Sequence, residues 1–221
     1  SMPAVKDAIT GALRGRREEV VLATKFGGGP PGRHARGTAD YIRNAVEGSL
    51  RRLQTDYLDL YQIHFFDAET HIDETLRALD DAVRQGKVRY VGCSNFAAWQ
   101  LAKAVGRSEA LGISRYESVQ PRYNLLFRDI ERELLPLCCH DDIAVMAYNP
   151  IAGGMLTGKH RAETGPTAGT RFTLGSASKR YQDRYWAEDK FEIVEAMRPL
   201  AVEAGVTLAQ MAVGWVLANP D

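Results

Sequence analysis

The chain has 221 residues, which suits one domain or two small ones, and with 45% of them hydrophobic and 25% charged its balance is that of a soluble globular protein with its own core. Its 28 basic and 28 acidic residues cancel, which argues against nucleic acid or an anionic membrane as the main partner, since either favours a basic face. No apolar run approaches the roughly 18 residues of a membrane span, and no charged and then apolar leader opens the sequence, so a cytoplasmic location is expected. Cys93, Cys138 and Cys139 make no disulfide framework and read as reduced, mostly buried thiols. No metal-ligand spacing accompanies them.

In chain order, residues 3–13 are predicted as a helix, because Val5, Ala8, Ile9, Ala12 and Leu13 recur at three and four residues. A short apolar strand is expected over 20–24, with Lys25 directly after it. Residues 26–37 are rich in glycine and proline and read as a mobile loop. Thr38 is placed to cap a helix whose buried stripe is Ile42, Ala45, Val46, Leu50 and Leu53. Residues 56–64 then read as a buried strand that ends on His64. Leu76, Leu79 and Val83 mark the next helix, which Gly86 can terminate.

Residues 88–93 are the third strand, and Ser94 or Asn95 is placed to cap the helix that holds Leu101 and Val105. Residues 116–120 are the fourth. The next helical stripe is Ile130, Leu134, Leu137 and Cys138, with Pro136 expected to kink or shorten it. The fifth strand is expected over 143–148, closing on Tyr148. Residues 149–186 read as a long irregular loop, of a length that is usually functional or disordered. Two helices follow, one carrying Phe191, Val194, Met197 and Ala201. Thr207 with Gln210 forms a capping box for the other.

Strand and helix therefore alternate, which implies parallel strands with right-handed crossovers. A doubly wound sheet and a (β/α)8 TIM barrel both fit. The sheet usually carries G-x-G-x-x-G after its first strand, and Gly27, Gly28 and Gly29 lack that spacing, so the barrel is the better fit. In such barrels active sites form at the C-terminal ends of the strands. Lys25, His64, Ser94, Asn95, Gln120 and Tyr148 all lie at those ends.

Each of these residues alone has an ordinary explanation as an ion pair, a turn or a packed ring. Their equivalent placement is what suggests chemistry. A lysine ammonium lowers the pKa of a neighbouring acid. A neutral imidazole donates one hydrogen bond to a carbonyl oxygen. The pair suits a reaction in which a substrate oxygen gains charge. Ser94, Asn95 and Gln120 can hold a carboxamide, Tyr148 can stack on a planar ring, and Lys159 and Arg171 can grip phosphates.

Six stretches carry a resemblance: Ala23–Gly27 (ATKFG), Asp56–His64 (DYLDLYQIH), Gly86–Phe96 (GKVRYVGCSNF), Val119–Asn124 (VQPRYN), Tyr148–Gly154 (YNPIAGG) and Leu156–Lys159 (LTGK). They run through nearly the whole chain, and together they resemble the aldo-keto reductases, in the branch of bacterial general reductases and potassium-channel beta subunits. The resemblance implies one barrel domain over 1–221, and hydride transfer between a nicotinamide cofactor and an aldehyde or ketone. The cofactor would be NADP, as NADPH, with NAD as the alternative. Lys25 and His64 match the family's catalytic lysine and histidine. Ser94, Asn95 and Gln120 match positions on the carboxamide side of the nicotinamide, and Tyr148 matches the ring that stacks on it. Asn149, Pro150, Ile151, Gly153, Lys159 and Arg171 match positions that line the pyrophosphate path. Asn149 departs from the serine common there.

The family's catalytic set also includes an aspartate and a tyrosine from a segment that would precede the first helix. The last strand and the segment that grips the adenosine phosphate would follow Asp221. Strands three to seven of the eight are therefore expected, and the chain as written is expected to be a poor reductase or none. The alternatives are a non-catalytic cofactor-binding or regulatory subunit of the same fold, or an inert truncated product. The oligomeric state stays open.

Overall fold

The computed structural model describes residues 2–28 and 36–220, with side chains from residue 8 onward. The chain divides into two compact units. One comprises Ser1–Pro121 and Glu133–Met146, the other Arg122–Arg132 and Ala147–Asp221.

The first unit holds α1 (Met2–Leu13), β1 (Ala23–Phe26), α2 (Ala39–Leu53), β2 (Leu58–Ile63), α3 (Ile72–Arg84), β3 (Val88–Ser94), α4 (Ala98–Leu111), β4 (Tyr116–Gln120), α5 (Leu134–His140) and β5 (Ala144–Val145). Its strands form one sheet in the order β1-β2-β3-β4-β5, and every pair is parallel. A doubly wound sheet reverses direction at a switch point, so unbroken sequential order is the order of a barrel wall. The fold is α/β, consistent with an incomplete (β/α)8 barrel.

The sheet has one face packed on helices. Phe26, Tyr61, Ile63, Val91 and Cys93 are buried, and the Phe26 and Tyr61 rings stack at 4.9 Å. Ile42, Val46 and Leu50 recur every fourth residue on α2 and are buried as a stripe. Gly86, in the left-handed region at φ 71°, turns the chain from α3 into β3.

A charged cluster ties the N-terminal ends of three strands. The Asp59 carboxylate accepts from the Leu22 N–H at 2.9 Å, from Arg17 at 2.8 Å and from Arg89 at 3.0 Å. Both guanidinium groups also lie over the Tyr57 ring, at 3.8 and 4.2 Å from its centroid. Burial alone would raise the Asp59 pKa. The Leu22 hydrogen bond and the two arginines overcome that and hold it below the usual carboxylate range.

The second unit holds a 3-10 helix (Ala152–Thr157), α6 (Ser178–Tyr185), α7 (Glu188–Glu203) and α8 (Leu208–Leu217). Met155, Leu156, Phe172, Tyr185, Val194 and Leu208 are among its core residues. The capping box forms as expected: Gln210 N–H donates to Thr207 Oγ1 at 3.2 Å, and Thr207 N–H to Gln210 Oε1 at 2.9 Å. His160 is 2% exposed, set edge-on to Phe172 and Trp186. Burial, with Lys159 beside it, holds its imidazole pKa below the usual range.

Several expectations need correction. β1 begins at Ala23, so Lys25 lies inside the strand; Val21, in the expected strand, is 81% exposed because pairing with β2 starts only at Ala23 and Leu60. β5 is two residues long rather than six. The helix expected from Ile130 begins at Leu134, which puts Pro136 in the first turn, where its missing N–H costs no bond. Ala97, not Ser94 or Asn95, caps α4, through Gln100 Oε1 accepting from the Ala97 N–H at 2.9 Å. Residues 149–186 contain a 3-10 helix and α6, and they bury Phe172 completely. Of the expected loop over 26–37, residues 29–35 lie outside the described residues.

Asp59→Ala should cost on the order of 3 kcal/mol, because it leaves the Leu22 N–H without its acceptor and Arg17 without its carboxylate. Urea denaturation checks this. A carboxylate with a depressed folded pKa stabilises above its unfolded pKa of about 3.9 and loses that as pH falls through the lower folded value. The deficit of the variant should therefore shrink below about pH 4.

Candidate active site

In a parallel sheet, paired residues point to the same face and successive residues alternate. Lys25 pairs with Gln62, Gln62 with Gly92, Gly92 with Ser118, and Ser118 with Ala144. They form one row on the face opposite Phe26 and Ile63. Ile63 pairs with Cys93, so His64 stands level with Ser94, which pairs with Gln120. Lys25, Gln62, His64, Ser94 and Gln120 thus occupy two adjacent rows at the C-terminal edge.

The Lys25 ammonium makes no ion pair among the described residues, and partial burial lowers its pKa. A cation without a carboxylate partner is available to a substrate oxygen. His64 continues β2, its N–H donating to the Phe26 carbonyl at 2.8 Å. Its ring stacks on Phe65 at 4.5 Å and 17°. A Cβ built on Gly28 would lie 2.9 Å from His64 Nδ1, so the Gly28 backbone walls that edge of the imidazole.

Ser94 and Asn95 knit the strand ends together. Asn95 Nδ2 donates to the His64 carbonyl and to Ser94 Oγ, each at 3.0 Å. Ser94 Oγ donates to the Gln120 carbonyl at 2.7 Å. Asn95 takes φ 56°, which asparagine tolerates better than most residues. These bonds explain why neither side chain caps α4. The Gln120 carboxamide makes no hydrogen bond among the described residues.

Sequence reading missed Gln62, which sits in a strand read as apolar. It is 1% exposed, and its Nε2 donates to the Cys93 carbonyl at 3.3 Å. A Cβ on Gly92 would collide with Ser118 Oγ and lie 3.4 Å from Gln62 Cγ, so Gly92 makes room for both polar side chains. The signal was available: Gln62 is in phase with His64 along the strand, facing the same side.

The other candidates belong to the second unit. Tyr148 bridges to Arg122, and its carbonyl accepts from the Tyr123 N–H at 3.2 Å. Asn149 takes φ 62°. Its carbonyl accepts from Asn124 Nδ2 at 3.0 Å and from the Ala152 N–H at 2.8 Å. Its Oδ1 accepts from the Tyr181 hydroxyl at 3.2 Å. Its Nδ2 is buried and has no partner among the described residues. Pro150 leads into Ile151, whose carbonyl accepts from the Gly154 N–H at 2.9 Å. Gly153 and Gly154 take φ 68° and 108°, a backbone that side chains rarely adopt.

Lys159 Nζ lies 3.8 Å from where a Gly154 Cβ would stand, so the ammonium sits close to the glycine backbone. The Arg171 guanidinium lies 5.5 Å from the Tyr181 ring centroid. Neither cation pairs with a carboxylate among the described residues. An orphaned amide donor, a glycine turn and two unpaired cations fit a phosphate ester, the chemistry of a dinucleotide linkage. Among the described residues no cluster of three or more His, Cys, Asp or Glu is placed to hold a metal ion.

The Gly28 backbone lies outside the left-handed region, so Gly28→Ala adds a methyl and no backbone strain. The methyl should displace the His64 imidazole and shift its ring nitrogen resonances in long-range proton–nitrogen NMR, with little change in melting temperature. Unmoved His64 resonances would contradict the contact.

The sequence profile of the Aldo/keto reductase family matches residues 2–221. The chain is 42% identical over 213 residues to the "Uncharacterized oxidoreductase YrpG" of Bacillus subtilis (strain 168), covering 93% of this chain and 61% of that protein. It is 36% identical over 208 residues to a "Probable voltage-gated potassium channel subunit beta" of Arabidopsis thaliana, covering 93% of this chain and 63% of that one. It is 38% identical over 157 residues to "Aflatoxin B1 aldehyde reductase member 2" of Mus musculus, covering 70% and 43%. The chain thus spans less than two thirds of the length of these curated relatives. A profile match along almost all of its length makes it a member of the aldo/keto reductase family.

Proposed function

We propose that the protein reduces small aldehydes or ketones with NADPH as hydride donor, NADH being the alternative. The observation that carries this reading is the juxtaposition at the sheet edge: a partly buried Lys25, without an ion pair among the described residues, on the face that also bears His64. When bound, the nicotinamide supplies the hydride. His64 donates a hydrogen bond to the carbonyl oxygen, and Lys25 places positive charge beside it. A partly dry site makes both worth more than in water. Within the first unit, Gln120 would receive the carboxamide of the cofactor, with Ser94 and Asn95 bracing that edge. Within the second unit, Tyr148 would offer a ring for stacking, and Asn149, Pro150, Ile151, Gly153, Lys159 and Arg171 would hold a pyrophosphate.

No tyrosine hydrogen-bonds Lys25 among the described residues. The carbonyl oxygen also takes a proton, which water can supply. A positioned general acid is worth about 10²–10⁴-fold in rate. The reading takes the protein as cytoplasmic and acting on small molecules rather than nucleic acid or membranes. Among the described residues no single helix is long and apolar enough to cross a membrane.

A second reading, a cofactor-binding regulatory subunit without turnover, is favoured by the name of the plant relatives, "Probable voltage-gated potassium channel subunit beta". NADPH oxidation with a reactive aromatic aldehyde separates the two. Reduction should be measurable and should fall roughly tenfold or more in His64→Ala and in Lys25→Met. Saturable NADPH binding with no oxidation would favour the regulatory subunit, and equal rates in the variants would remove Lys25 and His64 from the chemistry.

A further inference from the structure

Tyr181, on α6, touches three of the residues assigned above to the pyrophosphate. Its hydroxyl donates to Asn149 Oδ1 at 3.2 Å. Its ring rests on Gly153: a Cβ built there would lie 2.5 Å from Cδ1 and 2.8 Å from Cε1. The Arg171 guanidinium lies over the same ring, 5.5 Å from the centroid.

The base that carries Tyr181 is firm. Gln182 Nε2 donates to the Phe172 carbonyl at 2.6 Å, and Phe172 is wholly buried. Phe172 and Tyr185 also pack near the Tyr181 ring, with centroids 6.4 and 6.3 Å away. Asn149 is held from the other side, since Asn124 Nδ2 donates to its carbonyl. With Oδ1 accepting from Tyr181, the buried Nδ2 donors of Asn149 are left without a partner among the described residues. A buried donor without a partner carries a free-energy cost that an incoming oxygen removes.

We propose that Tyr181 is a positioning residue for a dinucleotide pyrophosphate: it orients the Asn149 amide so that Nδ2 meets a ligand oxygen, and it seats Gly153 and Arg171 on one ring. This deepens the cofactor reading above and rests on it. Tyr181 itself touches no reacting atom. The glycine at 153 acquires a specific reason, because any side chain there would displace the ring.

The test uses the full chain and two ligands, NADPH followed by its fluorescence and inorganic pyrophosphate followed by competition. Tyr181→Phe removes only the hydroxyl and keeps the ring packing. It should weaken both ligands about tenfold, the worth of one oriented hydrogen bond, with an unchanged melting temperature. The Asn149 side-chain amide resonances should move in the same variant without ligand. In an Asn149→Ala background Tyr181→Phe should have no further effect, because it acts through Asn149. Wild-type affinity in Tyr181→Phe with unmoved Asn149 resonances would overturn the proposal alone. So would a full additional loss in the double variant. A wild-type chain that binds neither ligand would overturn the proposal together with the cofactor reading.

Discussion

Parallel pairing in unbroken sequential order decides which side chains of the first unit can meet. Because pairing is lateral and side chains alternate, the register that sets Phe26 beside Ile63 on the helix-packed face also sets Lys25 beside Gln62 on the other. A slip of one residue would exchange the two faces and bury the lysine among helices. The register is held at both ends. Asp59 and its two arginines fasten the N-terminal ends of the strands, and the bonds from Asn95 and Ser94 fasten the C-terminal ends. Stability and candidate chemistry thus rest on one set of strands, with the structural charges at one end and the candidate groups at the other.

The second unit follows a different rule. Its candidate segment is not part of a sheet, so aromatic packing and side-chain hydrogen bonds fix it. Phe172 is the centre, with His160 and Trp186 edge-on to it and Gln182 bonded to its carbonyl. Glycines at positive φ let the backbone turn tightly around this cluster, and Lys159 lies along it. Such a segment can be ordered without being regular. Lys159 and Arg171 make no ion pair among the described residues, and the buried contacts around Phe172 are made by uncharged groups.

The strands were legible from sequence because apolar runs mark burial whatever the partner. Their limits were less so. Val20 and Val21 extend an apolar run, yet Val21 is exposed, since the neighbouring strand decides where pairing begins. The order within 149–186 was not legible, because it depends on Phe172 meeting His160, Gln182 and Trp186 and has no periodic signature. Ser94 and Asn95 were read as helix caps from local chemistry, which lost to hydrogen bonds across neighbouring strands. Lys25, His64 and Gln120 were visible as polar residues at strand ends. Gln62, Gly28 and Tyr181 were not, because each matters through a neighbour: a paired strand, an imidazole edge, an amide oxygen.

Family membership and the strand-edge geometry of the first unit support one proposal, that this chain passes hydride from a nicotinamide to a carbonyl carbon. Mass spectrometry of the alcohol formed from an aromatic aldehyde and NADPH deuterated at the transferable position addresses that claim directly. One deuterium on the carbinol carbon is the expected result. Saturating cofactor with no labelled alcohol, after incubation long enough for even a slow enzyme, would contradict it.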